Sequence, residues 1–173
     1  SNLFQDFAFV PIPEHDMTLY CGGSGQMLSF DVDGKAYPCI RYMEMSLNGE
    51  QNPVVIGDCF NGIYKEREHQ RLRDEMASID RRTMSDDECF YCTIGTGCGC
   101  CTAWCYQKYG TMNKRDKNIC WMHRARSLAN VYYWNKLYRM KGEEKRFKMF
   151  LSMEQALQIV DIKEYEELQR LSL

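Results

Sequence analysis

The cysteines constrain this chain more than any other feature of its sequence. Ten of its 173 residues are cysteine, and six of the ten lie between Cys89 and Cys105. A buried thiol packs like any small apolar side chain, so packing alone does not explain cysteines placed two and five residues apart beside glycines. The cluster predicts either disulfide bonds or a metal centre.

The length of the chain favours metal over disulfides. Disulfide scaffolds are usually short secreted chains whose cysteines are spread to join distant loops. This chain is 45% apolar and long enough to bury an ordinary core without cross-links. Zinc and iron–sulfur groups both take four thiolates. The histidines, His15, His69 and His123, are not spaced as the pair of a mixed zinc site, and none is predicted to be a ligand.

Charge and hydropathy exclude several classes of partner. The net charge is -2, with 22 basic and 24 acidic residues mixed along the chain, so neither nucleic acid nor a membrane surface is predicted as a partner. No apolar run approaches the roughly 20 residues of a membrane span, and the N-terminus lacks signal-peptide features. A cytoplasmic protein is predicted. The first residue is Ser1, not Met, which indicates either a tag remnant or a piece cut from a longer protein.

The N-terminal part is predicted to contain a β-hairpin. Residues 3–20 are predicted to be irregular or extended, and the strands are predicted at 26–32 and 35–40 around an Asp33-Gly34 turn. This register pairs Phe30 with Tyr37 and Leu28 with Cys39. Cys39 and Cys21 would then meet at the open end of the hairpin.

Helices are predicted in the rest of the chain, separated by the cysteine-rich loops. They cover 64–79, a short turn capped by Ser85 and Glu88, 118–139, 152–160 and a last segment from Ile162 to Leu168. The helix at 118–139 has an apolar face formed by Met122, Ala125, Ala129 and Tyr132 and widened by Leu128, Val131 and Trp134. The predicted fold class is therefore α+β: a small N-terminal β-hairpin, cysteine-rich cluster-binding loops, then C-terminal α-helices.

The order and spacing of the cysteines carry a family resemblance. Cys21 is followed after twelve residues by Gly34 and after four more by Cys39. Cys89-x2-Cys92-x5-Cys98 comes next, and Cys120 comes last. This pattern over residues 20–121 resembles the SPASM domain, which follows the barrel of radical SAM enzymes that modify peptides. The phrase from Phe30 to Cys39 also resembles the strand, turn and ligand of that family.

The resemblance implies two auxiliary 4Fe-4S clusters with interleaved ligands. Cys89, Cys92, Cys98 and Cys120 would hold the second cluster. Cys21, Cys39 and either Cys101 or Cys105 would hold the first. The family has a further cysteine where this chain has Thr102, so the choice between Cys101 and Cys105 is open. The last ligand of the first cluster would be Cys59, Cys100 or the spare one of that pair, or the iron would be left open.

The resemblance also implies a role. The parent protein would be a radical SAM peptide maturase that forms a thioether or similar cross-link in a ribosomally made peptide. Its partners would be the upstream barrel in cis and the precursor peptide, and S-adenosylmethionine would bind only in the barrel. Residues 1–20 would be a linker, 20–121 the cluster domain and 122–173 a helical extension packed on it.

The chain by itself is not predicted to be a complete enzyme. Radical SAM chemistry needs a Cys-x3-Cys-x2-Cys loop, and here Cys101-x3-Cys105 is followed by Lys108 at the third position. The alternative function is a zinc-binding interaction module, in which the same thiolates fold the domain and carry no electrons.

Overall fold

The chain folds into two compact units, each built from several separate segments. The computed structural model describes residues 4–19, 21, 23 and 26–173. Within that described part, unit 1 takes residues up to Glu14, then Glu88–Cys98 and Lys117–Leu173. Unit 2 takes His15–Asp87 and Gly99–Asp116. The chain therefore passes from one unit to the other between Cys98 and Gly99, inside its cysteine-rich stretch.

The strands lie in unit 2 and form one antiparallel sheet in the order β1-β2-β3-β4. They are β1 Ser29–Phe30, β2 Lys35–Tyr37, β3 Gly57–Asp58 and β4 Gly62–Ile63. The helices are α1 Ile40–Leu47, α2 Arg67–Ser78, α3 Arg81–Met84, α4 Asp87–Phe90, α5 Thr102–Tyr109, α6 Ile119–Met140, α7 Met153–Leu157 and α8 Ile162–Ser172. This arrangement is α+β, as the sequence predicts.

The hairpin is confirmed, but its predicted register is wrong by one residue. Phe30 pairs with Ala36, and Ser29 pairs with Tyr37. The Asp31 carboxylate accepts hydrogen bonds from the backbone N–H groups of Asp33 and Lys35, and Gly34 has a φ of 79°. These bonds make a longer loop than the predicted two-residue turn, because the Asp31 side chain competes for the turn's N–H groups. The Asp33-Gly34 turn therefore does not set the register.

The second strand also ends earlier than predicted, since α1 begins at Ile40 and Cys39 is its N-cap residue. The core of unit 2 forms where α1 packs against α5, with Tyr42, Met45, Val54 and Met112 among its buried side chains. The predicted helix at 64–79 is observed as α2.

Unit 1 contains α6, α7 and α8, and the segment before His15 packs with them. Phe9 is buried in this core with Leu128, Val131 and Leu168. Residues 4–19 contain neither helix nor strand, as predicted, and residues 1–3 and 20 lie outside the described residues. The predicted ranges 1–20, 20–121 and 122–173 rest on the family resemblance and stay a prediction.

Helix α6 is confirmed within a residue at each end, but only part of its predicted apolar face is buried. Leu128 and Val131 are buried as predicted, whereas Met122 is 67% exposed and Tyr132 is 42% exposed. The buried face also includes Asn130 and Asn135, whose side-chain amides donate to the carbonyl oxygens of Phe7 and Phe147. Apolar periodicity missed this part of the face because the asparagines are buried with hydrogen-bond partners.

The predicted Ser85 cap is also wrong. Ser85 is the C-cap residue of α3, and its buried hydroxyl has no hydrogen-bond partner among the described residues. A capping box occurs one helix earlier, where Asp80 and Thr83 bond each other's backbone N–H groups at the start of α3. In the described part of the chain, no helix is long and apolar enough to cross a membrane.

Candidate metal centres

The two units divide the ten cysteines into two sets. Unit 1 contains Cys89, Cys92, Cys98 and Cys120, and unit 2 contains Cys21, Cys39, Cys59, Cys100, Cys101 and Cys105. All ten are thiols in the structure. Cys105 is buried, Cys59 is exposed and the other eight are partly exposed. The set in unit 1 contains the same four residues that the family resemblance assigns to the second cluster.

In unit 2, Cys39 and Cys101 each begin a helix. Cys39 is the N-cap residue of α1 and Cys101 is the N-cap residue of α5, where its sulfur accepts the N–H of Trp104 at 3.4 Å. The positive end of each helix dipole therefore lies beside a thiol, which favours the thiolate that a metal requires. The guanidinium of Arg41, in the first turn of α1, acts to lower the pKa of Cys101 and so also favours its thiolate.

Cys21 lies beside Cys39. A Cβ atom added to Gly23 would stand 3.2 Å from the Cys39 sulfur and 3.6 Å from the Cys21 sulfur. Burial raises the pKa of Cys101 above its usual value, and the neighbouring Cys21 and Cys39 raise it further. The structure thus brings the predicted ligands Cys21, Cys39 and Cys101 into one neighbourhood; we call it the first site.

A buried tyrosine belongs to the first site. Tyr42 is 0% exposed, and its pKa is raised far above the usual value by burial and by Cys39, Cys101 and Cys21. The neighbouring Thr102 hydroxyl acts to lower this pKa. Neither hydroxyl makes a hydrogen bond of normal geometry with any described residue, although both are buried.

The neighbours of Cys105 differ from those of Cys101. Cys105 pairs with Cys100, and their interaction lowers the pKa of Cys105 and raises that of Cys100. The backbone N–H of Asp116 also bonds Cys105, and the Cys100 thiol lies 3.6 Å from the Met84 sulfur. Cys21 is a neighbour of Cys100, so this pair borders the first site.

Cys59 lies on the sheet. Its backbone N–H donates to the Gly34 carbonyl oxygen at 2.8 Å, and a Cβ at Gly34 would stand 2.5 Å from its sulfur. Of the candidates for the last ligand of the first cluster, Cys100 and Cys105 form the pair that borders the first site.

In unit 1, three consecutive turns carry the cysteines of the loop. The N–H groups of Cys92, Gly95 and Cys98 donate to the carbonyl oxygens of Cys89, Cys92 and Gly95, at 3.4, 3.2 and 3.1 Å. Tight turns of this kind present side chains from two or more positions to one metal. Cys120, in the first turn of α6, has Cys92 as a neighbour, and burial is the main cause of its raised pKa. We call these four cysteines the second site.

Helix α6 holds this loop through side chains that follow Cys120. His123 Nε2 is 2.6 Å from the Ile94 carbonyl oxygen, and Arg126 donates to the Gly97 carbonyl oxygen at 3.2 Å. Arg124 and Lys117 both pair with Glu88, directly before Cys89. These contacts fix the cysteine loop against the helix that carries the fourth cysteine.

Both sets consist of thiols, and thiolates are the ligands that zinc and iron–sulfur groups take. In the part of the chain that the structure describes, no three His, Cys, Asp or Glu side chains converge closely enough to hold a metal ion. The thiols instead approach in pairs, such as Cys21 with Cys39 and Cys100 with Cys105.

Three residues of these sites were not predicted as functional from the sequence. Tyr42 follows Cys39 by three residues, a spacing that places both at one helix end once α1 is recognised. Asp116 and His123 give no local signal, because their partners Cys105 and Ile94 are distant in sequence. His69 and His123 lie against the backbone carbonyl oxygens of Val55 and Ile94.

No protein-family model, no curated protein and no solved structure matches this chain. The family resemblance therefore rests on the order and spacing of the cysteines.

Proposed function

We propose that the chain is a SPASM-like domain that binds two auxiliary 4Fe-4S clusters for a radical SAM peptide maturase. The observation that carries the proposal is the separation of the cysteines into two sets, with Cys89, Cys92, Cys98 and Cys120 alone in unit 1. Two separate sets of thiols suit two metal groups, each with its own ligands.

At the second site the four cysteines of unit 1 would supply all four thiolates. At the first site Cys21, Cys39 and Cys101 would be ligands, with Cys100 or Cys105 as the source of a fourth. Each bound cluster would accept and release one electron at a time, at a potential set by hydrogen bonds and exposure. Arg41 at the first site and Arg124 at the second favour the thiolate forms that the clusters need.

The remaining parts of the proposal follow from the family resemblance. The domain would act in the cytoplasm, in cis with an upstream barrel that binds S-adenosylmethionine, and would help to hold the precursor peptide while the cross-link forms. The chain itself would have no catalytic residue, and its contribution would be electron transfer and binding.

Metal analysis tests the proposal against the zinc-binding module. The chain is expressed and purified without oxygen, and iron, sulfide and zinc are measured together with the visible and Mössbauer spectra. We expect a brown protein with about eight iron and eight sulfide per chain, the content of two 4Fe-4S clusters. A colourless protein that retains about two zinc and cannot be reconstituted with iron and sulfide would establish the zinc module instead.

A further inference from the structure

Two thiols of unit 2 lie close together beside a glycine. A Cβ atom added to Gly23 would stand 3.2 Å from the Cys39 sulfur and 3.6 Å from the Cys21 sulfur, so both sulfurs lie within 3.6 Å of one point. Both residues are thiols in the structure, and both are partly exposed. Strands β1 and β2 lie between the two cysteines in the sequence, so the fold itself brings this pair together.

Both sides of the pair are anchored in the fold. Cys39 is the N-cap residue of α1 and packs against the core of unit 2. Leu19, two residues before Cys21, packs against the same core. Gly23 is buried, and a side chain at its position would crowd the Cys39 sulfur. The glycine therefore leaves room for the two sulfurs to approach each other.

We propose that Cys21 and Cys39 are an oxidation site, at which the metal-free chain forms a disulfide. A disulfide needs two thiols and no third group. This matches the described part of the chain, where thiols approach in pairs and no three ligating side chains converge. The oxidant is a small-molecule disulfide, such as oxidised glutathione. The two thiols lose two protons and two electrons as one S–S bond forms between them, and the S–S bond of glutathione breaks to give two glutathione thiols.

The disulfide would close a loop that runs from Cys21 to Cys39 and contains β1 and β2. A closed loop of this size lowers the entropy of the unfolded chain, so the ratio of folded to unfolded metal-free protein should rise about 100-fold. Folding and disulfide formation share one thermodynamic cycle. The folded chain should therefore favour the disulfide about 100-fold more than the unfolded chain does.

The disulfide also controls what else the pair can bind. Metals bind thiolates, and a sulfur in a disulfide is no longer one, so oxidation and metal binding at Cys21 and Cys39 exclude each other. This consequence rests on the first metal site proposed above, whereas the disulfide of the metal-free chain does not. Reduced glutathione would break the bond and restore both thiols.

The test equilibrates the full chain, freed of metal by a chelator, in buffers with increasing ratios of oxidised to reduced glutathione. Acid stops the exchange, an alkylating reagent marks the remaining thiols, and mass spectrometry of the digest identifies each link. We expect one linked peptide pair that joins Cys21 to Cys39, with an equilibrium constant about 100-fold larger in buffer than in concentrated urea. Equal constants in the two solvents, or glutathione attached separately to the two cysteines, would overturn the inference.

Cys59→Ser is the matched control. Cys59 is an exposed thiol of unit 2 that lies beside Gly34, and its loss should leave the equilibrium constant of the link unchanged. Cys39→Ser should remove the link and leave glutathione on Cys21. If Cys21 instead joined another cysteine with the same constant, its position beside Cys39 would not be the cause, and the inference would fail.

Iron uptake separates this inference from the proposed function. A chain that forms the Cys21–Cys39 link but takes up no iron supports the inference and overturns the proposed function. A chain that takes up iron but never forms the link when metal-free removes the inference alone.

Discussion

The Asp116 carboxylate holds together the segment that carries Cys105. It is 6% exposed and accepts hydrogen bonds from the Trp104 indole at 2.7 Å, the Lys108 ammonium at 2.9 Å and the Tyr109 hydroxyl at 3.1 Å. The aspartate thus joins both ends of α5 to the chain that follows it. Because its backbone N–H also bonds Cys105, it connects this packing to the thiol pair.

Asp116→Asn should lower the free energy of unfolding of the metal-free chain by about 2 kcal/mol, since a buried network loses its charge and one of its acceptor atoms. Urea denaturation measures this. Asp87→Asn is the matched control, because its pair with Arg82 is exposed, at 77% for the aspartate, and should change stability by less than about 0.5 kcal/mol. Similar losses in the two variants would show that the Asp116 network does not stabilise α5.

The Asp58 carboxyl makes the stability of the fold depend on pH, and the direction follows from its pKa. Hydrogen bonds from the Asn61 side chain and backbone lower the pKa of this carboxyl from 3.8 to about 2. A group whose pKa falls on folding stabilises the fold above its unfolded pKa, and that stabilisation disappears as the pH falls from about 4 toward 2. An NMR titration of the side-chain carboxyl groups should give a titration midpoint for Asp58 near pH 2. In Asn61→Ala the midpoint should rise toward 3.8; an unchanged midpoint would exclude Asn61 as the cause.

At the scale of elements, α6 positions the second site through His123. The contact from His123 to the Ile94 carbonyl oxygen is buried and ties the loop between Cys92 and Cys98 to the helix that carries Cys120. Residues that orient metal ligands usually affect metal affinity 10- to 100-fold when replaced. The fixed loop is therefore part of the second site.

His123→Ala should weaken zinc binding at the second site about tenfold. The measurement is a zinc titration in a background with Cys21→Ser and Cys39→Ser, so that the first site does not compete. The control is His69→Ala, which removes an equivalent contact to the Val55 carbonyl oxygen in unit 2 and should leave this affinity unchanged. Equal effects of the two variants would contradict a specific role for His123.

The elements also show where sequence patterns succeed and fail. The long helix α6, the α8 segment and the Ser152 cap follow from periodicity and capping residues, and all three are observed. Helix α1 was missed because cysteine is not a usual N-cap residue, so Cys39 was taken as the end of a strand. The hairpin register failed because the Asp31 side chain organises its loop.

For the whole molecule, the cysteine spacing predicts which thiols group together, but not how the chain builds two units from alternating segments. That arrangement depends on long-range contacts in unit 1, such as the packing of Phe9 and the hydrogen bonds of Asn130, on α6, with the backbone of Gln5 and Phe7. Tyr42 and Asp116 were missed for the same reason. Their importance comes from neighbours in space, which local propensity does not report.

The central claim is that each unit holds its own metal group. The most direct test compares the iron content of the wild type with that of a Cys92→Ser, Cys120→Ser variant and a Cys21→Ser, Cys39→Ser variant, all reconstituted without oxygen. The account predicts about eight iron per wild-type chain and about four in each variant, since each loses one 4Fe-4S cluster and keeps the other. Loss of all iron in either variant, or of none, would contradict two separate metal centres.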